Sequence, residues 1–140
     1  MTASKYNSEG YYDPTTYEAL SRIEREERAA RYRPLVYICS PYSHGCINTN
    51  IENARKYSRF AVDRHCLPIT PHIYFTQFMD DTVSEEREIA IFMNFVLMSK
   101  CVELWVFGDT ISAGMKAEIE RAERKHMKIR YFTEELEEKE

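Results

Sequence analysis

From Pro34 onward the apolar positions follow two alternating rhythms. Short unbroken runs, Leu35–Cys39 and residues 102–107, carry no polar interruption long enough to expose a face. Such runs predict parallel strands covered on both sides. Residues 67–70 predict a shorter strand, with Pro68 placing it at an edge or at a strand start; Lys128–Phe132 predicts a fourth. Between these runs the apolar residues recur every three or four positions, as on a helix. One helix carries Ile51, Ala54, Ser58, Ala61 and Val62 inward and is expected to be capped by Asn48 or Asn50. The next opens on a Thr82/Glu85 capping box and a third covers residues 113–125.

The Thr82 helix has Ile89, Phe92, Met93, Val96 and Leu97 on one face and Ile91, Phe95 and Met98 on the other. A helix apolar all round must be covered all round. In a domain this small the second face calls for another subunit, so a homo-oligomer, dimer or higher, is expected, with Ile91, Phe95 and Met98 at the interface. Before Pro34 the pattern is different. Residues 1–12 are a polar, tyrosine-rich lead-in, and Asp13-Pro14 caps a helix running to about Arg31. Its stripe of Tyr17, Leu20, Ile23 and Ala30 suits a surface helix that docks on its own domain or on a neighbouring subunit. The glutamate-rich tail after Thr133 reads as frayed.

Strand–helix alternation implies right-handed crossovers and an α/β fold. The expectation is a Rossmann-like or flavodoxin-like three-layer sandwich whose four-stranded parallel sheet has the order 2-1-3-4. It divides the chain into a lead-in and surface helix (1–33), the α/β domain (34–133) and an acidic tail (134–140). Ligands of such sheets bind outside the carboxyl ends of the strands where strand order reverses. That singles out the loops at residues 40–49, 71–81 and 108–114.

Composition narrows the class. With 44% apolar and 30% charged residues the chain is ordinary for a globular domain. The net charge of -4, with Lys and Arg interleaved among Glu, argues against a nucleic-acid partner. No apolar run approaches the ~18 residues of a membrane span. The four cysteines, Cys39, Cys46, Cys66 and Cys101, lack a framework spacing and read as reduced thiols in a cytoplasmic protein. Their spacing with His44 and His65 fits no common zinc site, so no metal and no cofactor is expected. Tyr74, Phe75 and Phe78 suit stacking on a base but read first as a small core of their own loop, and Trp105 is core. Ser40 and His44 lack any nucleophile-elbow motif.

The third loop carries the most chemistry. Ser112-Ala113-Gly114 opens a helix whose free amides and hydroxyl suit an anion. Glu118, one turn beyond Gly114, faces the same way. Taken with Val36-Tyr37-Ile38-Cys39-Ser40-Pro41-Tyr42 and Pro71-His72, the run from Ser112 to Ile119 occurs in matching order and spacing. Together these segments resemble the nucleoside 2-deoxyribosyltransferase-like superfamily, in particular its small bacterial and phage branch, and the deoxynucleoside 5′-monophosphate N-glycosidases. The resemblance covers residues 34–132.

It implies that Glu118 is the nucleophile at an anomeric carbon, where an oxocarbenium-like transition state calls for a carboxylate. It further implies that Tyr37 orients Glu118. The small-molecule ligand, a nucleoside or nucleotide, is expected to meet Ser40, Pro41, Tyr42, His72, Asn94, Ser112, Ala113 and Gly114. Ser112 stands where hydrolases of nucleoside 5′-monophosphates carry a phosphate-contacting Ser and nucleoside transferases carry Asp. Three positions depart from the pattern. Val102 replaces an Asp expected near the sugar or base, Asn94 replaces an acidic residue, and Ser43 stands in place of an Arg. Two readings follow: an N-glycosidic-bond hydrolase or deoxyribosyltransferase, and a non-catalytic protein that holds a nucleotide or an NAD-derived signalling molecule.

Overall fold

The computed structural model describes residues 14–140. The lead-in at 1–12 and the Asp13 cap lie outside them. The chain divides between Arg33 and Pro34 into two units. In the first, Pro14 opens helix α1 (Pro14–Arg31).

The second unit is a four-stranded sheet, β1 (Leu35–Cys39), β2 (Leu67–Ile69), β3 (Glu103–Phe107) and β4 (Lys128–Phe132), in the order β2-β1-β3-β4. Every pairing is parallel, as the unbroken apolar runs require. Pro68 sits in the edge strand β2, where a missing N–H costs least. Helix α2 (Ile47–Asp63) connects β1 to β2. A short helix α3 (Pro71–Tyr74), a 3-10 turn (Phe75–Gln77) and helix α4 (Ser84–Met98) lead to β3, and α5 (Ala113–Arg124) joins β3 to β4.

Alternation along the strands splits the core in two. Val36, Ile38, Trp105, Phe107 and Phe132 pack with Tyr57 and Ala61 of α2. Tyr57 stacks on Phe107 at 4.2 Å, and Phe107 on Phe132 at 5.0 Å. On the opposite face Tyr37, Cys39, Leu104 and Val106 meet Met98 of α4 and Met115 and Ala122 of α5.

Several local expectations are corrected. Neither Asn48 nor Asn50 caps α2; its first flanking residue is Cys46 with no side-chain cap, and Asn50 instead donates from Nδ2 to Tyr42 O (2.6 Å) and His44 O (2.8 Å). The Thr82/Glu85 box does not form, because Thr82 bonds to Asp80 and Val83 is the flanking residue. Helix α4 departs in part from expectation: Met98 is buried and Phe95 packs on the core, whereas Ile89, Phe92 and Val96 stand open, Phe92 at 68% exposure; Ile91 is exposed and Leu97 packs inward as expected. The tail after Thr133 is folded against the sheet: Leu136 packs on the α2-side cluster and Glu138 bridges to Phe132.

Candidate functional site

Tyr37 leaves β1 towards the α4/α5 face, fully buried, and its hydroxyl hydrogen-bonds Glu118 from the second turn of α5. Burial pushes the Glu118 carboxyl from its ordinary 4.5 up to about 7, with the Tyr37 bond pulling the other way. Tyr37 itself is held well above the usual phenol range, by burial first and by the Glu118 charge second. The buried Cys39 thiol, raised by burial and then by the same charge, reaches towards Met115 O at 3.9 Å. Glu118 Oε2 is enclosed and has no hydrogen-bond partner, and neither has Asn94 Oδ1 on α4. Among the described residues these are the two buried side-chain atoms left in that state. Both belong to helices that cover one face of the sheet.

At the carboxyl end of β1 the buried Ser40 hydroxyl is hydrogen-bonded to His72 Nε2 at 3.0 Å. His72 follows β2 on α3, and burial lowers it from 6.5 to about 4, so the ring is neutral at pH 7. Pro41 and Tyr42 are half-buried in the loop that Asn50 ties down. Ser112 is the N-cap of α5, its Oγ accepting from Met115 N at 3.3 Å. Ala113 and Gly114 are exposed beside it, and a Cβ at Gly114 would meet nothing within 4 Å.

Where β1 and β3 diverge, a crevice of about 30 Å³ opens on the α2 side. Ser40, Asn50, Asn53, Gly108, Thr110 and Glu134 line it over a floor of Tyr57 and Phe107. This is the switch point expected of the topology. Burial, and after it the charges of Glu134 and Glu135, push the Tyr57 hydroxyl up to about 12.

Other positions lie elsewhere. Val102 precedes β3 at the amino edge of the sheet, half exposed. A five-residue strand rises roughly 16 Å, so Val102, at the start of the third strand as expected, stands about that far from the carboxyl edge. It lines instead a cavity of about 350 Å³ with Phe95, Met98, Arg121 and Lys125. Ser43 and His44 are exposed. His65 is a helix-terminal residue at φ 63°. Tyr74, Phe75 and Phe78 form an aromatic cluster of their own, with Tyr74 and Phe78 exposed. No group of three metal-binding side chains occurs among the described residues. Glu134 was missed as a site residue; the signal for it is Leu136, one apolar position in a run of glutamates that needs somewhere to pack.

The fold and this edge define an α/β protein with an all-parallel sheet and a crevice at its carboxyl end. A solved 2-deoxyribosyltransferase from the psychrotolerant bacterium Bacillus psychrosaccharolyticus is similar with a TM-score of 0.59 and 13% identity, over 71% of this chain and 72% of that one. Comparison with curated proteins finds no match. Residues 34–132 match a family described as a domain of unknown function (DUF7768), and the chain belongs to that family.

Proposed function

We propose that the protein cleaves or exchanges the N-glycosidic bond of a nucleoside or nucleoside 5′-monophosphate, with Glu118 as nucleophile. One observation carries this reading: a carboxylate enclosed against Tyr37, with one oxygen unpaired, in a fold shared with a 2-deoxyribosyltransferase. Buried unpaired carboxylates are costly, and groups so perturbed cluster at functional sites.

In the proposed reaction the ionised carboxylate forms a C–O bond to the anomeric carbon as the C–N bond breaks, and the base leaves with the bonding pair. Water then displaces Glu118 in a hydrolase, or a second base does so in a transferase. Tyr37 holds the carboxylate and favours its ionised form. The departing base takes its proton from solvent, because Asn94 has none to give and neutral His72 is a weak acid. Slow turnover is expected. His72, Ser40, Pro41 and Tyr42 border the ligand on one side, and Ser112, Ala113 and Gly114 on the other. A ligand of this size needs roughly 300 Å³, so the loops at the carboxyl edge part as it enters.

The orphaned amide of Asn94, where the resemblance expects an acid, favours a second reading: a binding protein that retains a nucleotide or NAD-derived molecule without turnover. Release of free base, followed by chromatography over a panel of nucleosides and monophosphates, separates the two. Release by the wild type that Glu118→Gln reduces at least a thousandfold supports the enzyme; equal release by both proteins contradicts it.

The open stripe of Ile89, Phe92 and Val96 supports a homo-oligomer, dimer or higher, formed through α4. No described helix is long and apolar enough to cross a membrane. The buried, reduced thiols of Cys39, Cys66 and Cys101 suit a cytoplasmic location.

A further inference from the structure

At the amino edge of the sheet, α4 and α5 part and leave a cavity of about 350 Å³ between them. This edge lies opposite the crevice, and the cavity is lined by none of the residues of the proposed reaction. Its walls are apolar: Phe95 and the buried Met98 from α4, half-exposed Val102 at the rim, and Met127 from the turn before β4. Pockets for small organic molecules begin at about this size and have such walls. Methionine side chains adapt to the shape of what they meet.

Two cations stand on its α5 wall. Arg121 and Lys125 are four residues apart, so they project from one side of the helix as like charges, a mildly unfavourable arrangement. Neither makes an ion pair with a carboxylate among the described residues. Arg121 instead lays its guanidinium over the Phe95 ring, 5.2 Å from the centroid. Basic residues in a last turn complement the helix dipole, which accounts for their charge but not for the apolar hollow they face. No acidic side chain lines the cavity among the described residues. The Ser99 hydroxyl and the Cys101 thiol, its other polar groups, already donate to α4 carbonyls. Positive charge is the one unmatched feature.

An apolar hollow bounded on one side by two unmatched cations fits a ligand of the reverse layout, a hydrocarbon body carrying one anionic head. The body displaces water from Phe95, Met98 and Met127. The head lies against Arg121 and Lys125, where the guanidinium offers a forked pair of N–H donors. We propose that this cavity is a ligand site distinct from the crevice, and that it takes a small amphipathic anion, a monocarboxylate with an aryl or alkyl body. The site stands whether or not Glu118 acts on a nucleoside.

Isothermal titration of the full chain with 4-phenylbutyrate and octanoate, beside the neutral 4-phenylbutan-1-ol and octan-1-ol, tests this, and methionine-methyl NMR locates the binding. At least one carboxylate is expected to bind with a dissociation constant on the order of 0.1 mM, at least tenfold more tightly than its alcohol. It is expected to shift the methyl signals of Met98 and Met127 and to leave that of Met79 in place. The double substitution Arg121→Gln, Lys125→Gln is expected to weaken the carboxylate at least tenfold and the alcohol less than threefold. Lys125→Gln alone, at an exposed position, moves the carboxylate the same way by less. Val102→Trp, at the half-exposed rim, is expected to weaken both. No binding of any of the four probes, equal binding of acid and alcohol, shifts confined to other methionines, or an affinity untouched by the substitutions overturns the inference. So does binding that appears only when Phe92→Glu has separated the chain into monomers, because a second copy is then the occupant.

Discussion

A buried polar atom without a partner costs about 1–3 kcal/mol, and Glu118 carries such an atom on an ionisable group. Its carboxyl titrates near 7 in the folded chain against 4.5 ordinarily, so the folded state retains a proton that the unfolded state releases. Stability from this group is complete below pH 4.5 and is lost as pH rises through about 7. Glu118→Gln lacks that loss. It is expected to be more stable than wild type at pH 8, by on the order of 3 kcal/mol, and close to it at pH 4; urea titrations at the two pH values check this, and an equal difference at both would contradict it. His72, lowered to about 4, has the opposite sign, its stability present above 6.5 and lost as pH falls. Tyr37→Phe removes the hydrogen bond that holds the Glu118 carboxyl down. The pH at which kcat/KM reaches half its plateau is therefore expected to rise, with most of the plateau kept. An unchanged profile would assign Tyr37 to packing alone. The Tyr37–Glu118 pairing was an expectation of the family resemblance, and alternation along β1 with the helical period of α5 gives each side chain the direction it needs.

Among the elements, α2 and α5 end alike. His65 N bonds to Val62 O and Cys66 N to Ala61 O; His126 N bonds to Glu123 O and Met127 N to Ala122 O. These are Schellman closures, with histidine at φ 63° and 56° where glycine is favoured. His126→Gly is expected to raise stability by about 1 kcal/mol in urea denaturation; a loss of stability would show that His126 makes contacts that outweigh its backbone strain. No sequence pattern marked these ends, because histidine is an unusual choice at such a turn. Helix α4 shows a different limit. With apolar residues on every side, periodicity gave two candidate faces, of which Ile91, Phe95 and Met98 were expected outward. The packing of Met98 and Leu97 against Cys101 and Leu104 decides the matter and leaves Phe92 outward. Phe92→Glu is expected to convert the oligomer to monomer by light scattering at micromolar concentration. A wild type already monomeric there would contradict the interface.

At the scale of the whole molecule, the order β2-β1-β3-β4 was legible from the strand–helix alternation, from the apolar runs at Leu35–Cys39 and 104–107, and from Pro68 at the edge. Topology alone then places the crevice where β1 and β3 part. The folded tail was illegible because its charge composition made it look solvated, and two of its anchors, Leu136 on the aromatic cluster and Lys139 on Gly108, reach far along the chain. What joins these scales is one proposed event, a covalent bond between Glu118 and a sugar. Incubation with 2′-deoxy-2′-fluoronucleosides, whose fluorine slows loss of the sugar ester, followed by intact-mass spectrometry and peptide mapping, tests that event directly. The expected result is a mass gain of one fluorinated pentosyl group, mapped to Glu118 and absent from Glu118→Gln. Base release by the wild type with the label on another residue, or no label under any of the nucleosides, would contradict a glutamate nucleophile at this site.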